Sequence, residues 1–451
     1  MEITVLNREL RGRAVLPGAG GWDEARAAWN LRVDQRPAIV VFAEDVDDIV
    51  AAVSFARDNG LLVAPQGTGH GARPGTAEGA MLLRTDRMRH VAVDAGARVA
   101  RVEAGVIARE LGTATSQHGL SAFPGSSADV GVIGYTLGGG LGWLSRRHGL
   151  ACNHVRAVEV VTADGQRRRV DADNEPELFW ALRGGGGSFA VVSAIEVDLV
   201  DLPEVYAGAV IHPAGERSGE ILRGYAEWAA GTPDQVTSLV RFLHPPPLPT
   251  VPEPLRDRHL IMIVACHAGP VSEGAELMAP LTRLGDAVVN SFQAMPASQL
   301  VTVAMDPEQP APSISDTTSL TELPDEAIDA FVATAGPDAG SPLVSAELRQ
   351  LGGALSIPDG AGGTRSHLEA AWIFAGTGVP RDPALGTAIN HQIDTIRDAF
   401  SPWSSGTRFP NFAGRPTTAD LFFDAPTLDR LRDVKRRYDP DGLLQENLLI
   451  T

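Results

Sequence analysis

The sequence predicts an α+β chain of two lobes, on three observations. It opens with a strand–helix–strand pattern that runs into a glycine-rich loop around His70. Near residue 203 the texture changes to proline-rich loops separating apolar runs. After about residue 405 the glycine-and-proline style returns and a helix follows. The expected organisation is a first lobe over 1–202, a second over 203–404 with an antiparallel sheet backed by helices, and a C-terminal segment, 405–451, returning to the first lobe.

In chain order, PAIVVFA (37–43) reads as a strand. Glu44 and Asp45 open an amphipathic helix with Val46, Ile49, Val50 and Val53 on its apolar face, and Gly60 stops it. Leu61–Ala64 is the next strand and leads through Pro65 into the His70 loop. Further strands are expected at 99–105, 155–163 and 189–199, with Asp164-Gly165 as a hairpin turn before RRRVDA. Ile107 to His118 reads as a helix closed by Gly119. In the second lobe HLIMIVACHA is an apolar run and EGAELMAPLTRLG a helical patch, and LDRLRDVKRR near the end is a helix.

A chain of 451 residues with 44% hydrophobic and 21% charged residues suits a globular protein with full cores. Its net charge of −18 repels nucleic-acid backbones and anionic lipid, so neither is expected as a partner. Cys152 and Cys266 are the only cysteines, too few for a disulfide framework or a cysteine-rich metal site. No apolar stretch approaches 18 residues and the first residues lack a signal-like apolar run, so the expectation is cytoplasmic. Abundant Ala, Gly and Arg with few Lys suggests a high-GC bacterial source.

The chemistry concentrates in two segments. In LLVAPQGTGHGARPG, Gly67, Gly69 and Gly71 allow close backbone approach and surround one imidazole, His70. Gly67 to Ala72 formally fits G-x-G-x-x-A, but Arg73-Pro74-Gly75 breaks the helix a Rossmann unit requires next. The second segment, PGSSADVGVIGYTLGGGLG, places Gly125, Gly131, Gly134, Gly138, Gly139, Gly140 and Gly142 within eighteen positions. That density is costly in entropy unless close approach is needed, and a backbone cradle suits a diphosphate in an acidic protein.

Seven segments in order resemble the FAD-linked oxidases of the vanillyl-alcohol-oxidase superfamily, in the bacterial branch related to berberine bridge enzyme. They are RPAIVV, GTGHG, RMRHVAVD, VGVIGYTLGGGLGWLSRRHGL, ELFWALRGGGGSFAVV, ELRQLGGAL and VKRRYDP. The resemblance implies a PCMH-type FAD-binding domain of two α+β subdomains, the isoalloxazine facing a separate substrate lobe. It implies FAD bonded covalently through His70, with Pro65, Gln66, Gly67, Thr68, Gly69 and Gly71 beside it. Gly125, Ser126, Ser127, Val130, Gly131, Gly134, Tyr135, Gly138, Gly139, Gly140, Gly142 and Trp143 would form the second cofactor segment, with Val192 and Asn447 contributing from further on. Phe409 and Asn411 are expected on the substrate side.

The chain departs from the family pattern at several positions. A second, cysteinyl tether is replaced by Ser127, a poor nucleophile, so the flavin is expected on His70 alone. The tyrosine near flavin N5 is Phe409, a second C-terminal asparagine is Leu449, and the strand after Gly353 lacks the glutamate base of plant members. Substitute candidates are His148, Tyr135, Glu347 and Arg349, together with His259 and His267. The last two stand eight apart on a strand, hence about 26 Å at about 3.3 Å per residue, and at most one of them reaches the flavin. The implied function is oxidation of a small organic substrate, with hydride to flavin N5 and electrons on to dioxygen, giving hydrogen peroxide. The absent tyrosine and the apolar Leu448 and Leu449 favour a hydrophobic or amine substrate over a sugar. The alternatives are a dehydrogenase using another acceptor and a flavin-bearing binding protein without turnover.

Overall fold

The computed structural model describes residues 3–249 and 251–450. The opening pattern forms as a strand Ile39–Phe42, a helix Val46–Asp58 and a strand Val63–Gln66. Asp45 caps the helix, its carboxylate accepting the backbone N–H of Asp47 and Asp48 at 2.8 and 3.0 Å. Asn59 then ends it before Gly60 turns at φ +66. The two strands are not neighbours: Met81–Arg84 lies between them, parallel to both. With Arg13–Val15 on the outer edge they make a four-stranded sheet.

A second, antiparallel sheet of five strands follows, in the order 91–94, 99–103, 191–198, 155–161, 167–171. Asp164 and Gly165 join the last two as a hairpin turn, with Gly165 at φ +79. The cores of the two sheets interlock, because Val161, Ala163 and Val191 pack with Ile39, Ile49 and Met81.

The remaining large sheet is antiparallel throughout, in the order 289–290, 204–213, 260–267, 236–243, 345–350, 372–378, 314–320. One face is covered by helices Ser218–Ala230, Asp325–Ala335 and Pro383–Ala399, burying Val240, Ile263, Leu348 and Phe374 among others. The opposite face, with Leu239, Met262 and Val264, packs on Phe123, Trp143 and Leu144, which flank the glycine-rich segment. Helical patch 273–285 is interrupted: Val271–Met278 is helical, and Pro280 precedes a separate short turn at Leu281–Arg283.

After residue 425 the chain packs on the first two sheets. Helix Ala425–Tyr438 contributes Leu431 and Val434 to the core containing Phe179 and Leu182. Leu444 bridges to Val63, and Leu448 and Ile450 are buried in that same core. Among the described residues no helix is long and apolar enough to cross a membrane.

Candidate functional site

His70 follows the parallel strand Val63–Gln66, and its surroundings are built by Gly69. At φ +84 a side chain on residue 69 would lie 2.8 Å from Ala28 Cα and 2.9 Å from Trp29 N, so only glycine lets that backbone approach. Trp29 N–H donates to Thr68 O at 3.1 Å, and the indole lies on the His70 ring, 4.2 Å between centroids at 22°. The indole N–H donates to Asp129 Oδ2 at 2.6 Å. Asp129 Oδ1 faces His70 Nε2 at 3.5 Å, longer than a good hydrogen bond, and both atoms are buried without another partner. Thr68 Oγ1 is 2.8 Å from Nδ1. Burial works against charge on Asp129, but the His70 ring and the Trp29 N–H outweigh it and hold its carboxyl below the usual value.

The second glycine segment divides in two. Residues 125–134 border the His70 loop, with Gly131 in contact with Thr68, and no protein atom lies within 4 Å of where Gly71 or Gly134 would carry a Cβ. Open space at these glycines, beside buried polar atoms of His70 and Asp129 without hydrogen-bond partners, fits the ring and polar edge of a flavin. Gly138, Gly139, Gly140 and Gly142 serve a different purpose. Side chains there would meet Asn411 at 2.6 Å, Phe409 at 3.0 Å, Ala151 at 2.6 Å and Pro124 O at 1.8 Å. Protein fills this cradle.

Opposite Ser126 and Ser127 stands a cross-strand row on the large sheet, Met262–Arg241–Glu347–Ala375–Thr317. Ser127 Oγ donates to Asp306 Oδ2 at 3.0 Å, and Arg241 Nη1 donates to Asp306 Oδ1 at 3.0 Å. Arg349 Nε donates to Glu347 Oε1, and its Nη2 reaches Ser126 Oγ at 3.2 Å. Glu347 Oε2 stands 3.8 Å from Arg241 Nη1. Arg241, Glu347 and Arg349 are all buried, yet two cations face two carboxylates, so the group is balanced. The glycine-rich segment is thus fastened through two serines to Asp306 and Arg349.

Residues 37–171 match the FAD binding domain family. The chain is similar to (R)-6-hydroxynicotine oxidase of Paenarthrobacter nicotinovorans, 31% identical over 52% of this chain and 48% of that one. It spans about half the length of the curated relatives it matches. Physcomitrella patens BBE-like 1 superposes with a TM-score of 0.86 at 18% identity, covering 100% of this chain and 99% of that one. Glucooligosaccharide oxidase from Acremonium strictum, described with a 6-S-cysteinyl, 8α-N1-histidyl FAD, superposes at 0.83 with 22% identity over 99% and 98%. The match places an FAD binding domain at residues 37–171, and the whole chain shares the fold of these solved structures.

Several candidate residues have other duties in this fold. Asn411 is engaged by backbone: its Oδ1 accepts Gly140 N–H at 3.0 Å and its Nδ2 donates to Tyr135 O at 3.1 Å. Phe409 is 1% exposed, in a core with Leu150, Cys152 and Ile373. Asn447 Oδ1 accepts from Gly187 N at 3.3 Å and Ser188 Oγ at 3.5 Å. Leu448 is buried in the flavin-lobe core and Leu449 is exposed, so neither supports the substrate argument drawn from them. Val192 is also core, and Gln66 donates to Ala27 O at 3.3 Å. Trp143 packs between the lobes with its indole N–H unpartnered.

The alternative bases sort likewise. His148 packs on Phe123 and His154, and burial with Arg147 and His154 pushes it down to about 4. Tyr135 packs against Gly125, Gly140 and Gly142, and burial raises its phenol strongly. His267 lies beside Gly274, and His259 stacks on His244 at 4.1 Å. Both share the parity of Ile261, Ile263 and Ala265, the face turned to the helices and away from the glycine-rich segment. Glu347 and Arg349 alone of these face it. Burial raises both thiols, Cys152 to about 12, which disfavours either as a thiolate.

Four residues of this site, Trp29, Asp129, Arg241 and Asp306, are absent from the sequence-based candidates. Asp129 directly precedes Val130-Gly131 and had a local signal. The other three are brought in by long-range contacts.

Proposed function

We propose that the chain is an FAD-dependent oxidase of a small organic substrate, with FAD bonded through His70 and substrate bound against the Arg241–Glu347–Arg349 row. The observation that carries this reading is the fastening of Ser126 and Ser127 to Arg349 and Asp306, which sets the cofactor segment directly opposite charged, buried side chains. Bound flavin supplies a hydride acceptor at N5 and passes the electrons to dioxygen. Gly67, Gly69 and Gly71, with Ser126 to Gly134, hold the cofactor; the GGGLG run supports them by seating Asn411 and Phe409.

Glu347 is the group suited to move a proton. Arg349 engages Oε1, while Oε2, at 3.8 Å from Arg241, is the less occupied oxygen. The test is peroxide release under air with parallel panels of amines, alcohols and oligosaccharides. Glu347→Gln should lower kcat/KM for the active substrate by roughly 10²-fold or more, the scale of general-base catalysis. Flavin reduction without peroxide would make the protein a dehydrogenase, and full activity in Glu347→Gln would remove this residue from the reaction.

A further inference from the structure

We infer that Asp129 and Trp29 are a positioning pair that holds His70 in the tautomer with its proton on Nε2 and so prepares the ring for its bond to the flavin. The inference rests on the covalent reading above and adds which groups of this chain prepare the histidine.

The ring is held on three sides. Trp29 lies on its face at 4.2 Å, the Asp129 carboxylate faces Nε2 at 3.5 Å, and the Thr68 hydroxyl stands 2.8 Å from Nδ1. Trp29 also fixes the carboxylate, through its indole N–H to Oδ2 at 2.6 Å, so one residue orients both partners. A carboxylate beside one ring nitrogen keeps the proton of neutral imidazole there, as in a serine–histidine–aspartate triad. The lone pair then resides on Nδ1, where the Thr68 hydroxyl donates to it until a stronger electrophile arrives. Nε2 and Oδ1 are buried with no other partner, and because the Thr68 hydroxyl can donate or accept at Nδ1, the Asp129 carboxylate is the contact that selects the tautomer. Contacts of this kind are commonly long before a ligand closes the site.

Bond formation joins Nδ1 to the flavin 8α carbon. One methyl C–H and the imidazole N–H are given up. The electron pair of the C–H bond reduces the flavin, with two protons taken up in balance, and dioxygen then oxidises it to yield hydrogen peroxide. During the step Nε2–H carries developing positive charge, which Asp129 offsets. Asp129 touches neither flavin nor substrate and acts through His70.

The test uses full-length protein produced under riboflavin starvation and then given FAD. Non-covalent binding is read from flavin absorbance, and linkage from flavin fluorescence of the denatured chain. Wild type should link fully, and the histidyl-flavin recovered by digestion should show Nδ1 substitution by NMR. Asp129→Asn should bind FAD but link at least about 10²-fold more slowly, and Asp129→Glu should recover part of that rate. Should Asp129→Asn fail to fold, Trp29→Phe keeps the stacking and loses the indole N–H; slower linkage supports the inference and wild-type linkage overturns it. Wild-type linkage in Asp129→Asn, or attachment through Nε2, overturns the inference while leaving covalent flavin intact. Release of all flavin from the wild type by acid overturns the covalent reading itself.

Discussion

Replacing Lys435 by methionine tests what ties the C-terminal helix to the flavin lobe. Lys435 is 4% exposed, and its three ammonium donors are all used: Asp439 Oδ2 at 2.7 Å, Ser188 O at 2.8 Å and Leu444 O at 2.9 Å. Methionine replaces the stem volume and none of the donors. Removing one partner of a buried pair costs about 3–5 kcal/mol, because the other charge stays desolvated. Asp439 keeps Leu443 N–H at 2.7 Å and Leu444 N–H at 2.9 Å, which places the cost at the lower end, about 3 kcal/mol. For a folded unit of roughly 200 residues, at about 2–4 °C per kcal/mol, the melting temperature should fall by about 6–12 °C. Differential scanning calorimetry measures it, and limited proteolysis should show the segment after residue 425 released first. A fall of less than about 2 °C would refute the reasoning, since water would then have to reach the Asp439 carboxylate.

Other substitutions probe the site. His70→Ala should fold and bind FAD, because Gly67, Gly69 and Gly71 hold it through backbone, yet all of its flavin should appear in the acid supernatant; retained flavin would place the link elsewhere. Gly69→Ala meets Ala28 and Trp29 backbone at φ +84, so it should cost roughly 1–3 kcal/mol and reduce flavin linkage; a wild-type melting temperature would contradict the packing. Ser127→Cys places a thiol beside the Asp306 carboxylate, which disfavours thiolate, and peptide mapping should find no second flavin link. The pH response follows from buried histidines. Burial, with Arg147 and His154, holds His148 at about 4, and burial also lowers His154. The unfolded chain takes up protons near pH 6.5 that the folded chain refuses, so stability should fall as pH drops from about 6.5 towards 4. A melting temperature flat across that window, or one whose slope is unchanged in His148→Gln, would show that these rings are solvated.

Local features were legible in the sequence, because one stretch determines them. The Val46–Asp58 helix announces itself through Asp45, its apolar spacing and Gly60, and the hairpin through Asp164-Gly165. The strands Ile314–Leu320 and Ser345–Gln350 were not, because ISDTTSL and SAELRQ carry charges and hydroxyls that solvent-facing residues normally carry. Here most of those side chains are buried, and partners from distant segments help permit it: Arg408 and Arg415 on Asp316, and Arg241 beside Glu347.

The glycines show the same limit from the other direction. Their density correctly signals that something approaches the backbone closely, but composition does not name the visitor. At Gly71 and Gly134 the space is open, as a cofactor requires, whereas at Gly138 to Gly142 it is filled by Asn411, Phe409, Ala151 and Pro124. The decisive polar contacts join residues 100, 179 and 223 positions apart: Trp29 with Asp129, Ser127 with Asp306, Ser126 with Arg349. No window of the sequence holds both ends of any of them. A candidate site assembled from distant segments is therefore the part of such a chain that local patterning describes least, and the glycine-rich character of the His70 loop was legible because its glycines are its immediate neighbours.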